Sequence, residues 1–257
     1  MALLQVENLH KEFGGVKAVT DVSFEVNEGE VYTIIGPNGA GKTTIFNMIS
    51  LIYPSSGGRI LFADQDLGKC RPHDLPYFGL ARTFQNIELF ENESVLQNLL
   101  VGRHAHRRTW LWQEAFFTPS VRKAEVAHRR VVEEVIDLLD LQHYRDSVVS
   151  TLPYGVQKIV ELGRALCSEP KLLLLDEPSS GLNVEETEDL SFWIDDIKNV
   201  LGVTVLMIEH DMQLVTRVSD RVMAVNEGRV IAMGTAAEVQ DDPEVARAYL
   251  GQPEVTA

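Results

Sequence analysis

The sequence predicts an α/β protein: a parallel sheet flanked by helices, with antiparallel strands ahead of it and a helical lobe inserted within it. Three observations lead there. The apolar run Val31 to Ile35 ends in a glycine-rich loop, and residues with helical spacing follow. The runs Leu172 to Leu175 and Val203 to Ile208 have the continuous hydrophobicity of strands buried on both faces. Between these segments, residues 94 to 168 switch to helical periodicity, whereas the first residues of the chain alternate apolar with polar.

The loop is the most informative stretch. Gly36-Pro37-Asn38-Gly39-Ala40-Gly41-Lys42-Thr43 fills every fixed position of the phosphate-loop pattern G-x-x-x-x-G-K-[ST], in the context of strand, loop and helix. Ile45, Phe46 and Ile49 give the helix its apolar face. Glycines let backbone N–H groups curl around phosphate oxygens, and the N-terminus of the new helix adds partial positive charge. Lys42 would reach the β- and γ-phosphates, and the Thr43 hydroxyl would sit on Mg²⁺.

The remaining elements follow in order. Leu4, Val6, Val22, Phe24 and Val26 mark half-exposed antiparallel strands, with Phe13-Gly14-Gly15 between them placing an aromatic on a turn. That ring either anchors the turn or offers a platform for a nucleotide base. Tyr53 to Gly58 form a turn cluster before a strand over Arg59 to Ala63, and Leu80 to Phe84 read as a strand ending at Gln85-Asn86. Ser94 is a good N-cap for a helix over Val95 to Val101, which Gly102 ends. Thr118-Pro119 starts a second helix, with Val121, Ala124, Val131, Val135, Ile136, Leu138 and Leu139 on its apolar face. A helix over Gln157 to Cys167 leads to the strand Leu172–Leu175. A helix from Val184 to Asn199 then precedes the strand Val203–Ile208. Arg221–Asn226 and Arg229–Met233 flank Glu227-Gly228 as a hairpin, and Asp242-Pro243-Glu244 caps a last short helix ending near Leu250.

Composition limits the function. At 257 residues the chain makes one large domain, or one domain with an inserted lobe. Its 23 basic and 38 acidic residues give a formal charge of −15, which argues against a nucleic-acid platform. Cys70 and Cys167 lie far apart without metal-ligand spacing, as expected of free thiols in a reducing compartment. His104 and His106 lack the carboxylate or thiol that would complete a metal set. The N-terminus, MALLQVENLHKEF, has no secretory-signal character, and no apolar run approaches the ~20 residues of a membrane helix.

Hydrolysing ATP needs held phosphates, a metal and a positioned water. Asp176, at the end of the Leu172–Leu175 strand, suits a Mg²⁺ carboxylate, held directly or through water. Glu177 after it suits the group that orients the attacking water. His210, past the end of the next strand, is placed to hydrogen-bond the γ-phosphate, and Gln85, at the entry to the lobe, to reach the same metal or water. Ligands bind at that carboxyl edge of open α/β sheets.

With these residues in place the chain resembles, over nearly its whole length, the ATP-binding cassette (ABC) ATPases. The resemblance implies a P-loop NTPase (RecA-like) core with an N-terminal antiparallel β subdomain and an inserted α-helical subdomain. On this sequence the core covers 1–85 and 169–257 and the helical part 86–168. It also implies ATP contacts from Gly36 to Thr43 (Walker A) and from Thr44, adenine stacking on Phe13, and a Q-loop glutamine at Gln85. Walker B is Leu172–Asp176, the catalytic glutamate Glu177, the D-loop Ser180-Gly181-Leu182-Asn183, and the switch histidine His210; Mg²⁺ would be held by Thr43, Gln85 and Asp176. The family signature, LSGGQ in most members, corresponds to Leu152-Pro153-Tyr154-Gly155-Val156, which in the family binds the γ-phosphate held by a second cassette. Pro153 replaces its serine and Val156 its glutamine, and Asn183 replaces the usual D-loop aspartate.

The finer match is to importers. Leu80–Phe90, Thr118-Pro119-Ser120, the Tyr-Gly signature variant, Ile208–Met212 and Arg247–Gly251 look like the ATPases of branched-chain amino-acid uptake systems. That resemblance implies a cassette paired with an identical or paralogous second cassette under two membrane permeases, fed by a periplasmic binding protein. The cassette would then lie peripherally on the cytoplasmic face of the inner membrane. The alternatives are the ATPase of a lipid or lipopolysaccharide exporter, against which Arg82–Phe90 and the Trp110–Pro119 insertion speak, and a non-transport cassette protein, against which the charge speaks.

Overall fold

The computed structural model describes residues 1–83, 87–106 and 119–250. Strands β1 (Ala2–Phe13), β2 (Val16–Asn27) and β3 (Val31–Ile35) come first, followed by helix α1 (Lys42–Ile49), strands β4 (Gly57–Phe62) and β5 (Gln65–Asp66), the short helix α2 (Leu75–Phe78) and strand β6 (Leu80–Arg82). Helices α3 (Val95–Gly102), α4 (Pro119–Leu138) and α5 (Tyr154–Leu166) then precede β7 (Leu172–Asp176). The chain continues with α6 (Val184–Asn199), β8 (Thr204–Ile208), α7 (Met212–Val218), the hairpin β9 (Arg221–Asn226) and β10 (Arg229–Gly234), and helices α8 (Ala236–Gln240) and α9 (Pro243–Leu250).

These strands make two sheets. A four-stranded antiparallel sheet runs in the order β2-β1-β4-β5, and a six-stranded sheet in the order β10-β9-β3-β8-β7-β6. In the larger sheet every pairing is parallel except the β9–β10 hairpin. The strand that enters the phosphate loop, β3, therefore lies between β8 and β9. Helices α3, α4 and α5 fall in sequence between β6 and β7, which are hydrogen-bonded neighbours. The helical segment is thus an excursion from the sheet that returns beside its point of departure.

The two-residue period of a strand decides which core each side chain joins. Leu172, Leu174, Leu206 and Ile208 pack with α1 and the inner face of the antiparallel sheet, including Phe46, Val6 and Phe62. Leu173, Leu175, Val205 and Met207 point the other way, toward Leu99 of α3, Ile136 of α4, Leu162 of α5 and Ile194 of α6. Every residue of β3, β7 and β8 is buried, as continuous apolar strands covered on both faces require.

Several boundaries differ from the sequence reading for local reasons. The strand read over Arg59 to Ala63 is Gly57–Phe62, because Ala63 and Asp64 take left-handed conformations (φ 47° and 63°) in the turn to β5. The strand after Leu80 ends at Arg82; Phe84, Gln85 and Asn86 lie outside the described residues. The helix read over Gln157 to Cys167 begins at Tyr154, since Pro153 with φ −54° takes the N-cap position and puts Tyr154 and Gly155 in the first turn. On α4, Val132 joins the core while Val131 stays half-buried. Helices α2, α7 and α8 were not foreseen, although Asp211 caps α7 and Thr235 and Glu238 form a capping box at the start of α8. Thr118 and the aromatic run from Trp110 to Phe117 lie outside the described residues.

Candidate functional site

The loop after β3 is shaped by contacts that only glycine permits. A Cβ on Gly36 (φ 151°) would lie 2.1 Å from the Val225 carbonyl oxygen of β9. At Gly41 (φ 100°) it would lie 2.5 Å from the Ala18 carbonyl of β2. The tip of the β9–β10 hairpin braces the same loop, since the Gly228 N–H donates to the Ala40 carbonyl at 2.9 Å. Helix α1 then starts without a side-chain cap, so its first N–H groups are directed to whatever sits in the loop.

Lys42 is buried and points back into this cradle, its ammonium donating to the carbonyls of Gly36 (2.7 Å) and Pro37 (3.0 Å). Burial lowers its pKa, and the carboxylates of Glu177 and Asp176 oppose that shift. The two acidic residues at the end of β7 are therefore electrostatic neighbours of the phosphate-loop lysine. Thr43 is exposed beside it and Thr44 half-buried.

Asp176 is tied down by a residue the sequence reading did not single out. Arg82, at the end of the adjacent strand β6, donates to Asp176 Oδ2 at 2.8 Å with both side chains buried. Its other terminal nitrogen donates to Asn47 of α1 (2.7 Å) and to Ser50 at that helix's C-cap (2.6 Å). One guanidinium thus joins the phosphate-loop helix to two strand ends, the kind of forked contact arginine suits. Glu177, immediately after, has φ 50°, a left-handed backbone costing on the order of 1–2 kcal/mol for a residue with a Cβ. Its N–H donates to the Ile208 carbonyl of β8 at 3.0 Å, two residues before His210. The His210 side chain is exposed by more than half, with Nδ1 3.8 Å from Glu209 Oε2.

Phe13 ends β1, partly exposed, with its ring edge-on to Tyr53 (5.4 Å) and the Lys11 ammonium 4.8 Å from its centre. The Tyr53 N–H is held by the Asn47 carbonyl of α1, so the aromatic pair is moored to the phosphate-loop helix. Leu152 and Gly155 are buried, Pro153 and Tyr154 exposed, and Val156 half-buried. Tyr154 and Gly155 pack on the segment following β7: a Cβ at Gly181 would fall 2.8 Å from the Tyr154 ring, and one at Gly155 2.3 Å from the Glu186 carboxylate. Asn183 has a structural task at the departure from the usual aspartate, since it N-caps α6 in a capping box with Glu186. Gln85 lies outside the described residues.

A contact from the far end of the chain also went unforeseen. Val245 of α9 packs with Ile35, the last residue of β3. Burial raises the pKa of the Tyr249 phenol one turn later, and the nearby Gly36 backbone partly offsets the rise.

A glycine loop between a central parallel strand and a helix, with a buried lysine and two carboxylates at the neighbouring strand end, defines a P-loop nucleotide-binding protein. The family model described as ABC transporter matches residues 19–180, and that described as Branched-chain amino acid ATP-binding cassette transporter matches 229–255. The chain is 40% identical over 250 residues to the high-affinity branched-chain amino acid transport ATP-binding protein LivG of Escherichia coli (strain K12), covering 97% of this chain and 98% of that one. Its identity to BraF of Pseudomonas aeruginosa, described in the same words, is 38% with the same coverage. The structure superposes on the ADP conformation of MJ1267, an ATP-binding cassette of an ABC transporter, with a TM-score of 0.85 at 33% identity, over 98% of this chain and 100% of that one. The chain belongs to the ABC transporter family, as one of its ATP-binding, ATP-hydrolysing cassettes.

Proposed function

We propose that this chain is the ATP-hydrolysing subunit of an importer of branched-chain or other hydrophobic amino acids. It would work with a second cassette, identical or paralogous, beneath two permease subunits fed by a periplasmic binding protein, at the cytoplasmic face of the inner membrane. The likeness to LivG and BraF over 97% of the chain carries this reading, and the match over 229–255 to a family model of branched-chain transporters supports it. No helix among the described residues is long and apolar enough to cross a membrane, so a permease would supply the path. Residues 1–85 and 169–257 would act as the nucleotide-binding core and 86–168 as the helical subdomain that couples to the permease.

In this reading Gly36 to Thr44 hold the phosphates and Phe13 stacks on adenine. The Lys42 ammonium exchanges the Gly36 and Pro37 carbonyls for phosphate oxygens. The Thr43 hydroxyl and Asp176 carboxylate are hard oxygen donors that suit Mg²⁺, with Gln85 as a third. Mg²⁺ held there would supply neutralisation of the phosphate charge. Glu177 orients the attacking water and His210 hydrogen-bonds the γ-phosphate. Leu152–Val156 are lent to the partner's nucleotide; Pro153 offers neither hydroxyl nor N–H, so the N-terminus of α5 makes the phosphate contact.

Replacement of Glu177 by Gln tests the assignment. Steady-state hydrolysis is expected to fall at least 100-fold, with nucleotide binding retained and an ATP-bound dimer detectable by light scattering; undiminished turnover would overturn it. Reconstitution with candidate permeases, and stimulation by leucine, isoleucine or valine with their binding protein, tests the substrate class.

A further inference from the structure

Glu209 is a fully buried carboxylate for which the hydrolytic reading has no use. Both of its oxygens are engaged by backbone donors. Oε1 accepts from the Ser179 N–H at 2.8 Å, and Oε2 accepts from the N–H groups of His210 (2.7 Å) and Asp211 (3.1 Å). Ser179 belongs to the loop that leaves β7 after Glu177, while His210 and Asp211 belong to the loop that leaves β8. One side chain therefore fastens the two loops to each other.

The first of these loops is gripped from its other side as well. Lys158, on the first turns of α5 just past Leu152–Val156, donates to the carbonyls of Glu177 (3.2 Å), Pro178 (3.1 Å) and Ser180 (2.6 Å). An ammonium has three protons, and three carbonyls take them. Between them, Lys158 and Glu209 bond a main-chain group of each residue from 177 to 180. Burial pushes the lysine pKa down, while Glu209, Glu161 and Glu177 hold it up. The Glu177 N–H to Ile208 carbonyl bond adds a further link between the loops.

We propose that Glu209 and Lys158 are positioning residues that make the Glu177 loop, the His210 loop and the start of the signature helix move as one unit. Neither need touch nucleotide. Glu209 sets the backbone that aims His210, and with Lys158 it holds Glu177 in its left-handed conformation. The inference rests on the hydrolytic reading of Glu177 and His210. It deepens that reading by naming the link between a chain's own phosphate-sensing loop and the signature loop it offers to its partner.

The experiment is steady-state ATPase and ADP affinity of the purified full-length chain carrying Glu209→Gln, Lys158→Met or both, with Glu177→Gln alongside. Glutamine keeps the shape of Glu209 but replaces one acceptor oxygen by an NH₂ donor that would face an N–H. Each single variant is expected to lower kcat about tenfold or more while ATP KM and ADP affinity stay within about threefold, a split that a general loss of structure would not produce. The double variant should be no slower than the worse single one, because both act through the same loop. Lys158→Met keeps the idea testable if Glu209→Gln fails to fold. Wild-type kcat in Lys158→Met, multiplicative losses in the double variant, or ADP affinity falling in step with kcat would each overturn the proposal. If Glu177→Gln itself remains active, the hydrolytic reading has failed instead.

Discussion

At the scale of single residues, Arg82 shows how the site is held before any ligand contacts it. Its guanidinium bridges Asp176 of β7 and the polar side chains of α1 and its C-cap, and both charges are buried. Removing one partner of a buried pair strands the other charge, at about 3–5 kcal/mol. Arg82→Met should therefore lower the melting temperature by roughly 6–20 °C, at about 2–4 °C per kcal/mol for a chain of this size. Differential scanning calorimetry at neutral pH checks this; an unchanged midpoint would mean that Asp176 is satisfied without the arginine. Arg82 could not be read from the sequence because its partner lies on another strand 94 positions away. Lys158 and Glu209 escaped for a different reason. They bond backbone groups, and a backbone acceptor leaves no mark on the identity of the residue that carries it. The meeting of Lys42 with Asp176 and Glu177 was legible because the phosphate-loop pattern puts a lysine at the start of the helix after the loop, and open α/β sheets gather ligand sites at the strand ends where the acidic pair stands.

At the scale of elements, the strands and the long helices followed from periodicity, and the deviations sit where a cap or a turn decides the boundary. The short helices α2, α7 and α8 were not read, and α8 is the instructive case: it is only Ala236–Gln240, too short for apolar periodicity, and it is held by its capping box. The Thr235 hydroxyl accepts from the Glu238 N–H, and the Glu238 carboxylate accepts from the Thr235 N–H and hydroxyl. These bonds hold the Glu238 pKa below its ordinary value. A depressed carboxylate stabilises the fold above its unfolded pKa and ceases to as the pH falls through its folded value. The deficit of Thr235→Ala should thus be largest near pH 7 and narrow under acid to the ~1 kcal/mol of the N-cap hydroxyl alone. Urea denaturation at several pH values tests this; a deficit that grows toward acid would contradict it.

At the scale of the whole molecule, the phosphate loop is assembled from distant parts of the chain. Gly41 abuts β2, Ala40 is bonded by the β9–β10 turn, Gly36 meets β9, and Val245 of α9 packs with Ile35 just ahead of the loop. The terminal helix was readable as a helix, but its docking beside the loop was not, because an apolar residue on a short helix carries no address. Val245→Ala removes two buried carbons from the contact with Ile35. At about 0.8 kcal/mol each, their loss should weaken ADP binding about tenfold if all of it is felt in the loop's shape. Titration calorimetry reads this directly, and equal affinity would confine α9 to packing.

The place of β3 between β8 and β9 has a consequence for how the protein is made. On the ribosome the phosphate loop emerges early, but the strands that must flank β3, Thr204–Ile208 and Arg221–Asn226, are among the last elements synthesised. Until they arrive, the loop has neither its braces nor the field of Asp176 and Glu177. A nascent cassette is therefore expected to lack a finished nucleotide site until β9 has emerged. ATP enters as a ligand of the finished chain, where by binding only the folded form it adds stability in proportion to its concentration.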